Sequence, residues 1–178
     1  TNGVTDSAAA GTALSTGRKT KNSALGMLAD LQTPVTSVAV WAQQSGAAVG
    51  ISTNVSVDHA TPAAFYAHQP MRDLYYEIGK DLIKADFDFY AGSDFRIPEN
   101  KKDSTATGTL FERCEQAGYT IARSYKQFQK TSKQAKKFIL LQPSTPSNND
   151  RTCLPYAIDR KPGDLTLQDI TRASISFL

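Results

Sequence analysis

Apolar positions along the chain fall into two kinds of run, some spaced three and four apart and others short and nearly continuous. Repeated alternation of the two predicts helices and buried strands in turn. The first segment, Ser7 to Gly17, is a stretch of small residues closed by glycine, read as a turn, a short helix and a glycine stop. Pro34 to Ser45 predicts a helix with Val35, Val38, Ala39 and Ala42 on one face, and Ala47 to Thr53 predicts a strand directly after it. A helix is expected near Thr61-Pro62 with Thr61 as its cap, and another over Leu74 to Lys84, where Leu74, Ile78 and Leu82 recur every fourth position. Asp86 to Gly92 reads as a strand, and the polar Ser93 to Gly108 as a surface excursion. Then follow a helix over Thr109 to Gln116, a strand over Tyr119 to Ala122, a helix over Tyr125 to Gln134 and a buried strand over Lys137 to Leu141. Pro143 to Asp164 is too long and polar for an ordinary link. The last helix opens at Thr166-Leu167-Gln168-Asp169, a cap-like tetrad, and runs through Ile170, Ala173 and Phe177. No internal repeat is present. The alternation predicts a three-layer α/β sandwich with a mainly parallel sheet, whose ligands bind beyond the carboxyl ends of the strands.

Composition changes this picture little. A chain of 178 residues is long enough for one ordinary core, so a single α/β domain over 1–178 is expected. A formal charge of +3 is mild, and neither a basic tail nor an acidic block calls for nucleic acid. No apolar run is long enough for a membrane span and no leader-like segment opens the sequence. Cys114 falls in a helical pattern, Cys153 in a polar loop, and nothing in their spacing supports a bridge. Lys126, Lys130, Lys133 and Lys137 fall at helical spacing and read as a solvated face. Trp41, Tyr75 and Tyr76 read as packing residues, and no stacking platform for nucleic acid is evident.

Candidate chemistry gathers in two places. Ser7 is expected at a helix N-terminus, where unpaired N–H groups and the positive end of the macrodipole favour an anion; such a serine can be a cap, a phosphate ligand or a nucleophile. The second place is Asp58 to His68 followed by Arg72. There His59 and Thr61 alternate around a loop entering a helix and could face a hard cation or phosphate, or serve as a backbone-bonded imidazole and a plain cap.

Both stretches resemble the alkaline phosphatase family. The first resemblance lies in Asp6-Ser7-Ala8-Ala9-Ala10-Gly11-Thr12-Ala13-Leu14-Ser15-Thr16-Gly17, with Lys19-Thr20 and Asn22-Ser23-Ala24-Leu25-Gly26 after it. The second lies in Thr61-Pro62-Ala63 with Arg72 eleven positions beyond Thr61. The resemblance implies hydrolysis of phosphate monoesters through a covalent phosphoserine. Ser7 would be the nucleophile, Arg72 would grip two phosphate oxygens and Asp6 would orient that arginine. Thr61 would be a magnesium ligand and His59 would stand beside the magnesium site, where one branch of the family has aspartate and another histidine. His68 would be structural. It further implies two zinc ions and one magnesium ion in the complete enzyme, a homodimeric parent and an extracytoplasmic location. Apart from Ser7, the zinc ligands of the family have no counterparts in this chain. The expectation is therefore an internal fragment of a larger catalytic domain, inactive by itself, with little or no metal of its own and a sheet edge left open to pair between copies. The alternative is a stand-alone module that binds phosphate or a phosphoprotein without catalysis.

Overall fold

The structure, a computed structural model, describes residues 3–100, 108–143 and 153–178. Four strands, β1 (Gly50–Ser52), β2 (Phe89–Gly92), β3 (Tyr119–Ala122) and β4 (Lys137–Leu141), form one sheet in the order β1-β2-β4-β3. Every pairing is parallel, with Ile51 opposite Tyr90, Tyr90 opposite Ile139 and Ile121 opposite Ile139. Parallel neighbours need crossovers, and helices supply them: α3 (Ala60–Ala63) and α4 (Tyr75–Ala85) between β1 and β2, α5 (Leu110–Gln116) between β2 and β3, α6 (Tyr125–Thr131) between β3 and β4. Two helices, α1 (Ser7–Thr16) and α2 (Val38–Gln44), precede the sheet, and α7 (Leu167–Phe177) follows it.

Three layers follow from the period-2 alternation of the strands. Tyr90, Tyr119, Ile139 and Leu141 point to one face, into a cluster with Tyr76, Ile78 and Leu82 of α4 and Leu110 and Cys114 of α5. Phe89, Ala91, Phe138 and Leu140 point to the other, against Phe128 of α6 and Ile170 and Ala173 of α7. Burial on both faces explains why β2 and β4 read as nearly solid apolar runs, each large side chain contributing about 1.5–3 kcal/mol.

Several expectations are corrected. The helix expected from Pro34 begins at Val38 with Ser37 as its cap, because Pro34 pairs instead with Met27 in an antiparallel bridge. The helix after the β1 loop is capped by His59, which places Thr61 inside it. Ser93, Asp94 and Phe95 are buried, so the excursion expected over Ser93 to Gly108 starts with part of the interior; residues 101–107 lie outside the described residues. Trp41 is 54% exposed and is not a core residue, whereas Tyr75 and Tyr76 are buried. Lys137 belongs to β4 rather than to the lysine face of α6; it pairs with Asp86 and lies over the Tyr119 ring. Cys114 and Cys153 are both free thiols. Among the described residues no helix is long and apolar enough to cross a membrane.

Candidate active site

The site is built where α1 starts and where the loops leave β1 and β2. Asp6, not Ser7, caps α1: its Oδ1 accepts from the Ala9 N–H at 2.9 Å. Ser7 is thereby the first helical residue, exposed, with a hydroxyl not needed to close the helix. The run of small residues after it serves close packing. A Cβ on Gly11 would stand 2.9 Å from the Ala64 Cβ, and Ser15 Oγ donates to the Ala64 carbonyl at 2.6 Å, so α1 lies against α3 and the segment following it.

The loop after β1 is pinned onto the loop after β2. Ser93 N–H donates to Val55 O at 2.9 Å and Val57 N–H to Asp94 O at 3.0 Å. Arg96 N–H donates to Asp58 Oδ2 at 2.8 Å. The approach is tight enough at Gly92 that a Cβ there would meet Val55 O at 2.6 Å. This pinning presents His59 to Arg72.

Arg72 connects the two stretches. Its Nη1 donates to Asp6 Oδ2 at 3.4 Å and its Nη2 lies 3.2 Å from His59 Nε2. Guanidinium has only donors, so Nε2 accepts and the ring proton sits on Nδ1. With its proton on Nδ1 that nitrogen cannot accept from the Thr61 N–H 3.5 Å away, so the Arg72 and Thr61 contacts are alternatives set by the tautomer, and His59 keeps the N-cap position through its extended backbone. Burial first, then the charges of Arg72 and Arg96, hold the His59 pKa below the usual imidazole value and favour the neutral ring. The structure thus brings Asp6, His59 and Arg72 together across 66 residues, with Ser7 adjoining Asp6. Thr61 is exposed on α3 and lines a groove of about 300 Å³ with Ile51, Thr53, Pro62 and Phe65, beside β1. His68 is held structurally: its backbone N–H donates to Asp81 Oδ2 at 2.9 Å, and its Nδ1 lies 2.8 Å from Gly26 O.

Sequence reasoning gave no role to four residues of this neighbourhood. Asp58 is fully buried, its Oδ1 has no hydrogen-bond partner, and burial raises its pKa to about 6. Arg96 stacks on the Tyr75 ring at 4.7 Å and donates to the Tyr75 hydroxyl at 2.9 Å. Asn22 and Ser23 hold the turn before Ser7. An acid directly before His59 was visible as a motif; Asn22 and Ser23 lay in the stretch that resembles the family, with no sign of their role; Arg96 had no local signal, since only tertiary contacts bring it here.

For metals, the donors in reach are the hydroxyls of Ser7 and Thr61 and the imidazole of His59, whose Nε2 already faces Arg72. The hydroxyls suit a hard cation, but the Asp6 carboxylate is committed to the α1 cap, Ser23 and Arg72, Asp58 is buried against the Arg96 N–H, and no thiolate is near for zinc. Among the described residues no three His, Cys, Asp or Glu side chains cluster. The residues present therefore do not by themselves fit the two-zinc, one-magnesium expectation.

A family model described as alkaline phosphatase matches residues 1–178. Alkaline phosphatase 4 of Bacillus subtilis is 32% identical over 189 residues, covering 98% of this chain and 36% of that protein. The alkaline phosphatase of the Antarctic bacterium TAB5 superposes with a TM-score of 0.82 at 30% identity, over 98% of this chain and 47% of that one. A histidine-to-glutamate mutant of the TAB5 enzyme with Mg bound in its M3 site is similar to this chain at 29% identity and a TM-score of 0.82, over the same shares. The chain spans about a third to a half of the length of these relatives.

Proposed function

This chain belongs to the alkaline phosphatase family, and on that premise we propose that it carries the nucleophile and the phosphate-gripping half of a phosphomonoesterase site. The observation that carries the proposal is Arg72, held between Asp6 and His59 beside the helix that Ser7 opens. A phosphate docked there meets the helix N-terminus and the fork of Arg72, which matches two phosphate oxygens. Ser7 Oγ forms a bond to phosphorus as the ester P–O bond breaks and the alcohol leaves, giving a phosphoserine that water then hydrolyses. Arg72 and the N–H groups not taken by the Asp6 cap stabilise charge on the equatorial oxygens. Asp6 orients Arg72, and the neutral ring of His59 accepts one of its N–H groups without adding charge to the pocket. Thr61, with His59 beside it, would offer an oxygen to magnesium; the Mg in the M3 site of the TAB5 mutant supports metal use in the parent enzyme. Bound zinc would supply a lower pKa for the Ser7 hydroxyl; its ligands would come from outside these 178 residues. The whole protein is then an extracytoplasmic, homodimeric, metal-dependent hydrolase of phosphate monoesters. Residues 1–178, one α/β domain of it, are inactive alone; the second reading, a stand-alone module that binds phosphate or a phosphoprotein without catalysis, is favoured by the incomplete donor set among the described residues.

The test is hydrolysis of p-nitrophenyl phosphate at alkaline pH with added zinc and magnesium. It compares the full-length protein, its Ser7→Ala variant and the 178-residue chain. Turnover in the full-length protein alone, abolished in Ser7→Ala, is the expected result. Full activity in Ser7→Ala would remove the nucleophile assignment, and turnover by the short chain would show that its donors suffice.

A further inference from the structure

The turn that faces the nucleophile is held by a side chain with no assigned role. Asn22 Oδ1 accepts from the Asp6 N–H at 3.2 Å, and Asn22 Nδ2 donates to the Val4 carbonyl at 3.0 Å. Its carboxamide thus pairs with the two backbone groups on either side of Thr5, as a neighbouring strand would. The orientation of the amide is unambiguous, because an N–H can only donate and a carbonyl only accept. The next residue, Ser23, has φ 74°, the left-handed region that a serine enters at a cost, and its N–H donates to Asp6 Oδ2 at 3.0 Å. Asp6 is thereby fixed through its backbone N–H by Asn22 and through one carboxylate oxygen by Ser23. Its other oxygen caps α1, and Arg72 reaches the oxygen that Ser23 holds.

Such strain persists where surrounding contacts over-determine it, and it occurs here one hydrogen bond from the residue preceding Ser7. The described lead-in to α1 is Gly3 to Asp6, and among the described residues no strand of the sheet pairs with it. Asn22 therefore supplies its lateral hydrogen bonds.

We propose that Asn22, with the left-handed Ser23 beside it, is a positioning element for the nucleophile: by fixing the backbone at Val4 and Asp6 it sets the direction in which Ser7 leaves the cap. This rests on the assignment of Ser7 as nucleophile. Asn22 touches neither phosphate nor leaving group; it acts by limiting the angles from which Ser7 Oγ approaches phosphorus, an effect that falls on the bond-forming step.

The experiment compares full-length wild type, Asn22→Ala, Asn22→Asp and Ser7→Ala in the metal-loaded protein. It measures the single-turnover rate of phosphoserine formation, the affinity for inorganic phosphate and the thermal midpoint. Asn22→Ala is expected to slow phosphoserine formation about 10-fold, with phosphate affinity within about 2-fold and the midpoint close to wild type. Asn22→Asp keeps the acceptor for the Asp6 N–H and loses the donor to Val4, so it is expected between wild type and Asn22→Ala. A wild-type rate in Asn22→Ala overturns the proposal while leaving Ser7 untouched. A loss matched by equal losses in phosphate affinity or thermal midpoint overturns it too, since that pattern marks general destabilisation. Phosphoserine formation in Ser7→Ala would remove the nucleophile assignment and this inference with it, so the two failures are told apart by which variant retains the rate.

Discussion

Two arginine–aspartate pairs lie beyond the carboxyl ends of the strands, and they are built for opposite purposes. Arg123 reaches both oxygens of Asp94, at 3.0 and 3.3 Å, adds a bond to the Gln142 carbonyl at 3.3 Å and stacks over the Phe111 ring at 5.0 Å. The Asp94 side chain is only 7% exposed. Arg72 makes one 3.4 Å contact to Asp6, uses its second nitrogen on a neutral imidazole, and both partners keep 23% of their side-chain surface. A guanidinium whose fork already matches a carboxylate has little left for a ligand. One held loosely, by a single oxygen and a ring nitrogen, can turn its N–H fork to a phosphate at small cost. Charge and residue type are the same in the two pairs; saturation of the hydrogen-bonding groups separates the pair that is fully consumed by the fold from the pair that keeps capacity for a ligand.

The sharpest way to break this comparison is Arg72→Ala in the full-length enzyme. It is expected to lower kcat/KM for p-nitrophenyl phosphate by about 10²–10³-fold, or about 3–4 kcal/mol of transition-state stabilisation. Stability should change by less than about 1 kcal/mol, as for a long, partly exposed ion pair with a single contact. A stability loss larger than the activity loss would put Arg72 in the same class as Arg123. Asp94→Ala should behave in the opposite sense. Leaving the Arg123 charge without its partner is expected to cost about 3 kcal/mol in urea unfolding, and its activity at low temperature should stay within a few-fold of wild type.

Asp58 tests the neighbourhood by pH. Burial raises its pKa from 3.8 to about 6, so the folded state holds a proton that the unfolded state releases between those values. Its contribution is therefore present below pH 4 and is lost as pH rises through about 6. Asp58→Asn, which keeps an acceptor for the Arg96 N–H, should raise stability at pH 7.5 by about 1–3 kcal/mol and remove that downward slope. His59 works with the opposite sign. Its folded pKa lies below 6.5, so stability falls as pH drops below 6.5, and His59→Gln should flatten that limb. The smallest effect is expected from Asp6→Asn, which retains a good N-cap and removes the charge facing Arg72. Unfolding should move by less than about 0.5 kcal/mol, while phosphate affinity shifts a few-fold. A large stability loss there would mean that the Asp6 charge serves the fold rather than the site.

Local chemistry sets the elements that could be read without coordinates. Strands β3 and β4 fall on the predicted residues, because solid apolar runs bounded by glycine or polar turns leave few other conformations. Helices α5 and α7 start where Thr109–Glu112 and Thr166–Asp169 form reciprocal caps, a signal that spans four residues. Pro34 misled because its environment is non-local: the bridge to Met27 outweighs its suitability for a first helical turn. The same holds for His59, which takes the cap expected of Thr61 once the β2 loop pins Asp58.

By itself, then, the sequence determined the alternation of helices and strands, the parallel three-layer class, the family, and the candidates Asp6, Ser7, His59, Thr61 and Arg72. Each depends on neighbours within one element or on a recognisable stretch. Tertiary structure alone decided that Asp6 rather than Ser7 caps α1, that Arg72 spans Asp6 and His59, that Asn22 and Ser23 hold the turn before Ser7, and that Arg123 is consumed by Asp94. Hydrogen-bond saturation is a property of groups that meet only on folding, and no spacing along the chain encodes it.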